Sequence, residues 1–282
     1  MRDSRWFRSF RTNRSAIVGL VLVTSAIVVA FAGPYVAPRA PNEQFADGLS
    51  HVGLPHGPST SYWLGTDTLG RDQLSRVLHG GSVSLQVALL ATFVALGIGL
   101  TVGVLSGYCG GLLDAIAMRV VDALLSMPFL LIAIAVYRVV SRPGIAALYL
   151  LLGLFSWPAL ARVTRTKVLQ TRELEYVAAA RALGSGSVRI LLRHILPNVL
   201  GPAIVLSTGM VADMILVESA MSFLGLGVQP PQASWGSMLH DGRELIAHAP
   251  HLVWAPGVMI LTTVFGFNLL GEGLGDALDP RR

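Results

Sequence analysis

The stretch SLQVALLATFVALGIGLTVGVLSG, residues 84–107, decides the fold class. It carries no acidic or basic side chain, and about 20 apolar residues are enough for a helix to cross roughly 30 Å of hydrocarbon. In that solvent the backbone must bond to itself, which selects a helix. Gly99, Gly103 and Gly107 recur every fourth residue. They form a flat ladder on one helical face, where a neighbouring helix packs closely. Five further mostly apolar runs are long enough to cross, at 16–37, 116–137, 145–161, 199–221 and 252–271. The whole chain is 53% hydrophobic and 13% charged, against about 25% charged in soluble domains; its mean hydropathy is +0.62. These observations predict an all-α integral membrane protein with six transmembrane helices.

Basic residues orient the spans, because Arg and Lys concentrate in cytoplasmic loops. With six alternating spans and both termini cytoplasmic, the inner side takes Arg2, Arg5, Arg8, Arg11, Arg14, Arg119, the cluster from Arg162 to Arg193, Arg281 and Arg282. The outer side takes Arg39, Arg71, Arg76, Arg138, Arg142 and Arg243, so the third span fits least well. The run from Ala16 to Ala32 is too long for the apolar part of a cleaved signal and reads as a retained anchor. Three regions follow: residues 1–40, a basic N-terminus with the first span; 41–82, an extracytoplasmic loop; and 83–282, a core containing a cytoplasmic loop at 162–198. The basic pI near 9.9 is accounted for by these loops, and no nucleic-acid partner is expected. Cys109 is the single cysteine, so no disulfide forms within the chain.

The loop at 162–198 contains EYVAAARALG at 175–184 and HILPN at 194–198. Ala178, Ala179 and Ala180 favour a helix with a slim face, and Gly184 suits a left-handed turn that ends it. Two short helices joined by a turn are expected, with Pro197 at the start of the fifth span. A slim helix flanked by Arg181 and Arg189 suits a groove on another protein; the alternative is a solvated connecting loop.

These residues resemble the EAA loop of ABC importer permeases, whose pattern is Glu-Ala-Ala, three residues, Gly, nine residues, Ile, one residue, Leu-Pro. The chain matches at Ala179, Ala180, Gly184, Leu196 and Pro197 and departs at Ala178 and His194. The departures are similar to the peptide-transporter branch. So are WLGTDTLGRDQLSRVLHGG at 63–81, SFLGLGVQPP at 222–231, ASWGSML at 233–239 and FNLLGEGLGDALDP at 267–280. The resemblance to dipeptide and oligopeptide permeases of the C type covers nearly the whole chain and implies the type I permease fold in a bacterial inner membrane. It implies a second homologous permease subunit, two ATPase subunits and an extracytoplasmic peptide-binding protein as partners, in a surround of membrane lipid. It also implies ATPase docking through Glu175, Ala178, Ala179, Ala180, Arg181, Gly184, Leu196 and Pro197.

Catalysis is not expected of this chain. A phosphate-binding loop needs a lysine after its glycines, and the one lysine, Lys167, follows Thr166. ATP and Mg are therefore expected on the partner subunits, with no cofactor and no metal on this one. Asp213 and Glu218 are carboxylates inside a span, which makes them candidates for function. For Glu218 the competing reading is a hydrogen bond that holds the turn at Ser222–Gly225. Asp122 has Arg119 nearby as a possible partner. Trp254 stands as an interfacial anchor at the start of the sixth span. Alternative functions are the same machinery importing nickel or another small solute, or an ion-coupled secondary transporter.

Overall fold

The computed structural model describes residues 11–139 and 144–278. Arg2, Arg5, Arg8, Arg142, Arg281 and Arg282 lie outside the described residues, as does the side chain of Arg138. The long helices are α1 (Arg14–Val36), α2 (Gln73–Cys109), α5 (Ile145–Arg172), α7 (Ser187–Phe223) and α9 (His251–Leu278), each long and apolar enough to cross a membrane. Between them stand α3 (Gly111–Ser126), α4 (Phe129–Val139), α6 (Glu175–Ala182) and α8 (Trp235–Gly242).

The glycine ladder is the seam between α2 and α5. A Cβ at Gly99 would come within 2.9 Å of Leu160. One at Gly103 would stand 2.5 Å from the carbonyl oxygen of Ala161, and one at Gly107 would stand 2.8 Å from Val168 Cβ. The two backbones therefore approach as closely as small residues permit. Helix α1 lies along α9, and Asn13 at its start donates to Asp276 near the end of α9 at 3.0 Å. Helix α7 runs between the two pairs and touches α2, α5 and α9. The core joins Leu85, Ala88 and Ala91 of α2 to Leu148 and Leu152 of α5, to Ile215 of α7 and to Trp235 of α8.

The expected third span, 116–137, is not one helix. It is the pair α3 and α4, bent by 89°. Pro128 has no N–H, and its ring drives the preceding residue out of the helical region. Met127 accordingly takes φ −92° and ψ 140°. Counting the bent pair as one span gives the expected six. Only Val121 is buried along α3. Asp122 pairs with Arg162 of α5 at 2.5 Å and not with Arg119.

The second span begins earlier than hydropathy suggested. The Asp72 side chain accepts from the Ser75 N–H at 2.8 Å and caps α2 well upstream of residue 84. Further upstream, Asp67 accepts from the backbone N–H groups of Leu69 and Arg71, each at 2.9 Å. It also takes the guanidinium groups of Arg71 at 2.5 Å and Arg76 at 3.1 Å. Arg76 reaches on to Asp241 of α8 at 3.8 Å. Burial pushes the Asp241 carboxyl up, against the pull of that guanidinium. The Arg39 guanidinium lies 4.1 Å from the ring centre of Tyr62. Through these contacts the segment before α2, which has no regular helix, is held against the start of α2, and the start of α2 against α8.

Candidate functional site

The bundle has a basic end, which carries the cluster from Arg162 to Arg193. There α5 continues past the expected span limit of 161 as far as Arg172. Helix α6 follows after Glu173 and Leu174. Of the two short helices expected in this loop, α6 is the first. The second is no separate element: it is the opening of α7, which runs on through Pro197. The proline is tolerated because the turn before it widens. Leu191–Ile195 is π-helical, and the Leu196 N–H bonds to the carbonyl of Leu191, five residues back. Proline inside a regular helix would clash with the carbonyl four residues earlier.

Helix α6 ends as its sequence suggests. Gly184 adopts φ +81°. The Ser185 N–H bonds to the Ala180 carbonyl at 3.0 Å and the Gly184 N–H to that of Arg181 at 3.0 Å. This pair of bonds is the Schellman arrangement with glycine at its left-handed position.

One side chain anchors α6 to the bundle. Val177 is fully buried and shares a cluster with Val104 of α2, Val168 of α5, and Ile190, Ile195 and Val199 of α7. A second tie is polar. The Asn198 side-chain amide donates to the Tyr176 hydroxyl at 3.0 Å and to the His194 carbonyl at 2.6 Å. Sequence reasoning did not single out Tyr176 or Asn198; the helical spacing of His194 and Asn198 was the available signal. Two further bonds draw neighbouring helices into the same end. Arg165 of α5 makes a two-pronged pair with Asp114 of α3 at 2.5 and 2.6 Å. Arg172 donates to the Gly107 carbonyl at 3.2 Å.

The opposite side of α6 is bare. Glu175, Ala178, Ala179 and Arg181 are exposed, and Ala180 is half-buried. Around them Leu183 is 87% exposed, Val188 69% and Leu192 56%. Leucine and valine at such exposure, beside a helix narrowed by alanine, make an apolar surface rimmed by Arg181 and Arg189. Leu183 and Val188 were also not singled out from sequence, although they flank the turn at Gly184. Leu196 is half-buried and Pro197 exposed, on α7 next to this surface.

The two carboxylates of α7 have different surroundings. Glu218 is fully buried and lies far from the basic end. Its oxygens accept from Ser222 at 2.7 Å and from Ser84 of α2 at 3.1 Å. Each serine oxygen in turn accepts a backbone N–H, from Val228 to Ser222 and from Trp235 to Ser84, both at 3.1 Å. Glu218 thus ties the segment after α7 to α2. Asp213 is exposed, and no hydrogen bond or ion pair reaches it among the described residues.

Residues 99–282 match the family described as the binding-protein-dependent transport system inner membrane component. Residues 4–52 match the N-terminal transmembrane domain of oligopeptide transport permease C. The chain is 40% identical over 275 residues to a dipeptide transport system permease protein of Alkalihalophilus pseudofirmus, covering 98% of this chain and 88% of that one. It is 39% identical over 276 residues to a glutathione transport system permease protein of Pectobacterium atrosepticum, with 98% and 90% covered. A di/tripeptide transport system permease protein of Pseudomonas aeruginosa is 38% identical over 277 residues, with 98% and 91% covered. The all-helical bundle, the EAA-type segment at its basic end and these matches lead to one conclusion: the chain belongs to the inner membrane components of binding-protein-dependent transport systems, the multi-pass permease subunits of ABC importers.

Proposed function

We propose that this chain forms half of the translocation path of an ATP-driven importer of small peptides. A second homologous permease forms the other half, two ATPase subunits bind below, and an extracytoplasmic binding protein delivers cargo from above. Both termini and residues 162–198 face the cytoplasm, while 38–82 and 223–250 face outward. The relatives named above carry dipeptides, di- and tripeptides or glutathione, which supports a small peptide as cargo.

The observation that carries the coupling mechanism is the geometry of α6. Its bare apolar side offers a surface to an ATPase, and its only buried side chain, Val177, stands on the ends of α2, α5 and α7. A push on Ala178, Ala179 and Arg181 passes through Val177 into three spanning helices at once. Helix α3 moves with α5 through Asp114 and Arg165. Rigid helices that share one loaded cluster rock together, which is how access alternates about a central path. ATP and Mg stay on the ATPases, and this chain does no bond chemistry.

Reconstitution tests the reading. The two permeases and the ATPases are placed in vesicles with the binding protein on one side of the membrane and ATP on the other. Labelled trialanine accumulates when ATP is present and not when it is replaced by a non-hydrolysable analogue. Accumulation driven by an ion gradient without ATP, or uptake of nickel but of no peptide, refutes it.

A further inference from the structure

On α7, residues Pro202, Leu206, Gly209, Asp213, Leu216 and Ala220 follow one another at alternating steps of four and three. That spacing places them on one helical strip. None of the six is buried, and Leu206, Asp213 and Leu216 are exposed. The flanks of α7 are occupied by the other helices: Ser84 of α2 reaches Glu218, Ser156 of α5 lies 3.6 Å from the Met214 sulfur, and Gly271 of α9 fits against Thr208. The strip therefore looks away from this chain's own bundle, with a carboxylate at its centre.

Lipid cannot be what it faces. Asp213 lies well before the end of α7 at Phe223, about 15 Å inside the helix. A charged group at such depth costs about 2.5–3.5 kcal/mol even on the lenient insertion scale, and such groups turn to water or to a countercharge. No cation of this chain approaches it among the described residues. The surroundings have the make-up of a small-ligand site. Gly209, one turn away, has open space where its side chain would be. Leu216 opens on the other side into a groove of about 540 Å³, walled by Ile260, Val264 and Phe265 and carrying the amide of Asn268. Apolar walls with a few polar groups are the usual make-up of a site for a small molecule.

We infer that Asp213 is a cargo-binding residue of the translocation path, holding the α-ammonium group of a peptide as it leaves the binding protein. This rests on the proposed function. The ammonium brings three N–H donors and no acceptor, so a lone carboxylate in a partly desolvated wall suits it, and the Asn268 amide beside the groove can take a peptide carbonyl. The recognition reads the one feature that all peptides with free N-termini share, leaving side chains to the apolar groove.

The complete complex in vesicles tests this with three forms of the chain: wild type, Asp213→Asn and Asp213→Glu. The probe is trialanine, and peptide taken up per ATP hydrolysed is measured together with recovery of the second permease and the ATPases. Asp213→Asn keeps the size and loses the charge. It is expected to assemble fully and keep its ATPase turnover, while trialanine uptake per ATP falls roughly tenfold, the worth of one charge-assisted hydrogen bond. Asp213→Glu restores most of it. Wild-type uptake per ATP in Asp213→Asn overturns the inference and leaves the importer reading standing. Loss of the second permease from the Asn variant also overturns it, because Asp213 then serves an ion pair between subunits. Absence of trialanine uptake by wild type overturns the importer reading itself.

Discussion

Replacing Gly184 by valine separates a docking element from a passive loop. The glycine sits at φ +81°, where an L-residue is penalised by about 1–2 kcal/mol and a β-branched one by more. A Cβ there would meet nothing within 4 Å, so the whole penalty is conformational and none of it is a clash. Against it stands the hold on α6. Burial of Val177 contributes about 1.5–3 kcal/mol, and the Tyr176–Asn198 hydrogen bond adds about 0.5–1.5 kcal/mol. Ordering the short helix subtracts nearly all of that sum, so a penalty of about 2 kcal/mol outweighs the remaining margin by about 1.4 kcal/mol. If only the native turn fits the ATPase, its apparent affinity falls with the fraction in that state, by about tenfold. The spans are untouched, so the protein should remain in the membrane with its permease partner. The assay is co-purification of the ATPases, with peptide uptake measured alongside, both normalised to membrane level. Gly184→Asn is the control, because asparagine tolerates the left-handed region; it should retain most of both signals. Recovery of the ATPases with the valine variant within about twofold of wild type would refute the reasoning, since so small a factor is inconsistent with a turn strained by about 2 kcal/mol.

Other outcomes follow from the packing. Gly103→Leu drives a side chain against the Ala161 carbonyl and Thr164; overpacking of this kind costs about 1–3 kcal/mol or more, and a lowered melting temperature in detergent with reduced membrane level is the expected result, whereas Gly97→Leu, whose position meets nothing within 4 Å, should be near wild type. Glu218→Ala leaves the hydroxyls of Ser84 and Ser222 without their acceptor in a buried site, a loss of about 1–3 kcal/mol; it should loosen the segment 224–235, read as faster proteolysis there, and Glu218→Gln should recover part of the loss. On a Cys109→Ser background, a cysteine at Ser185 should react with a membrane-impermeant thiol reagent only after the membrane is opened; labelling from outside intact cells would reverse the proposed orientation.

Much of the fold was legible because transfer into hydrocarbon is a property of a residue and its near neighbours. The runs at 16–37, 84–107, 145–161, 199–221 and 252–271 each coincide with a spanning helix. The end of α6 at Gly184 was legible for the same local reason, since glycine takes a left-handed φ without a side-chain penalty. The third span was read without its bend although the signal was present: Pro128 breaks the apolar run at 116–137, and its effect on Met127 needs no tertiary contact. The early start of α2 at Gln73 was also within reach through Asp72 as a cap, but hydropathy alone does not see a polar first turn.

The sequence by itself determined that this chain is a helical membrane protein, where most of its spans lie, that Gly99, Gly103 and Gly107 share a face, and that 175–197 resembles a docking loop. These follow from periodicity and composition, which act over a few turns. Only the tertiary structure decided that the glycine ladder meets α5, that Asp122 pairs with Arg162, and that Val177 stands on the ends of α2, α5 and α7. It alone distinguished the two carboxylates of α7, burying Glu218 against Ser84 and leaving Asp213 on an open strip. The physical reason is distance along the chain: Glu218 and Ser84 are 134 residues apart, and whether a buried carboxylate finds its donors is settled only when the helices that carry them are packed together.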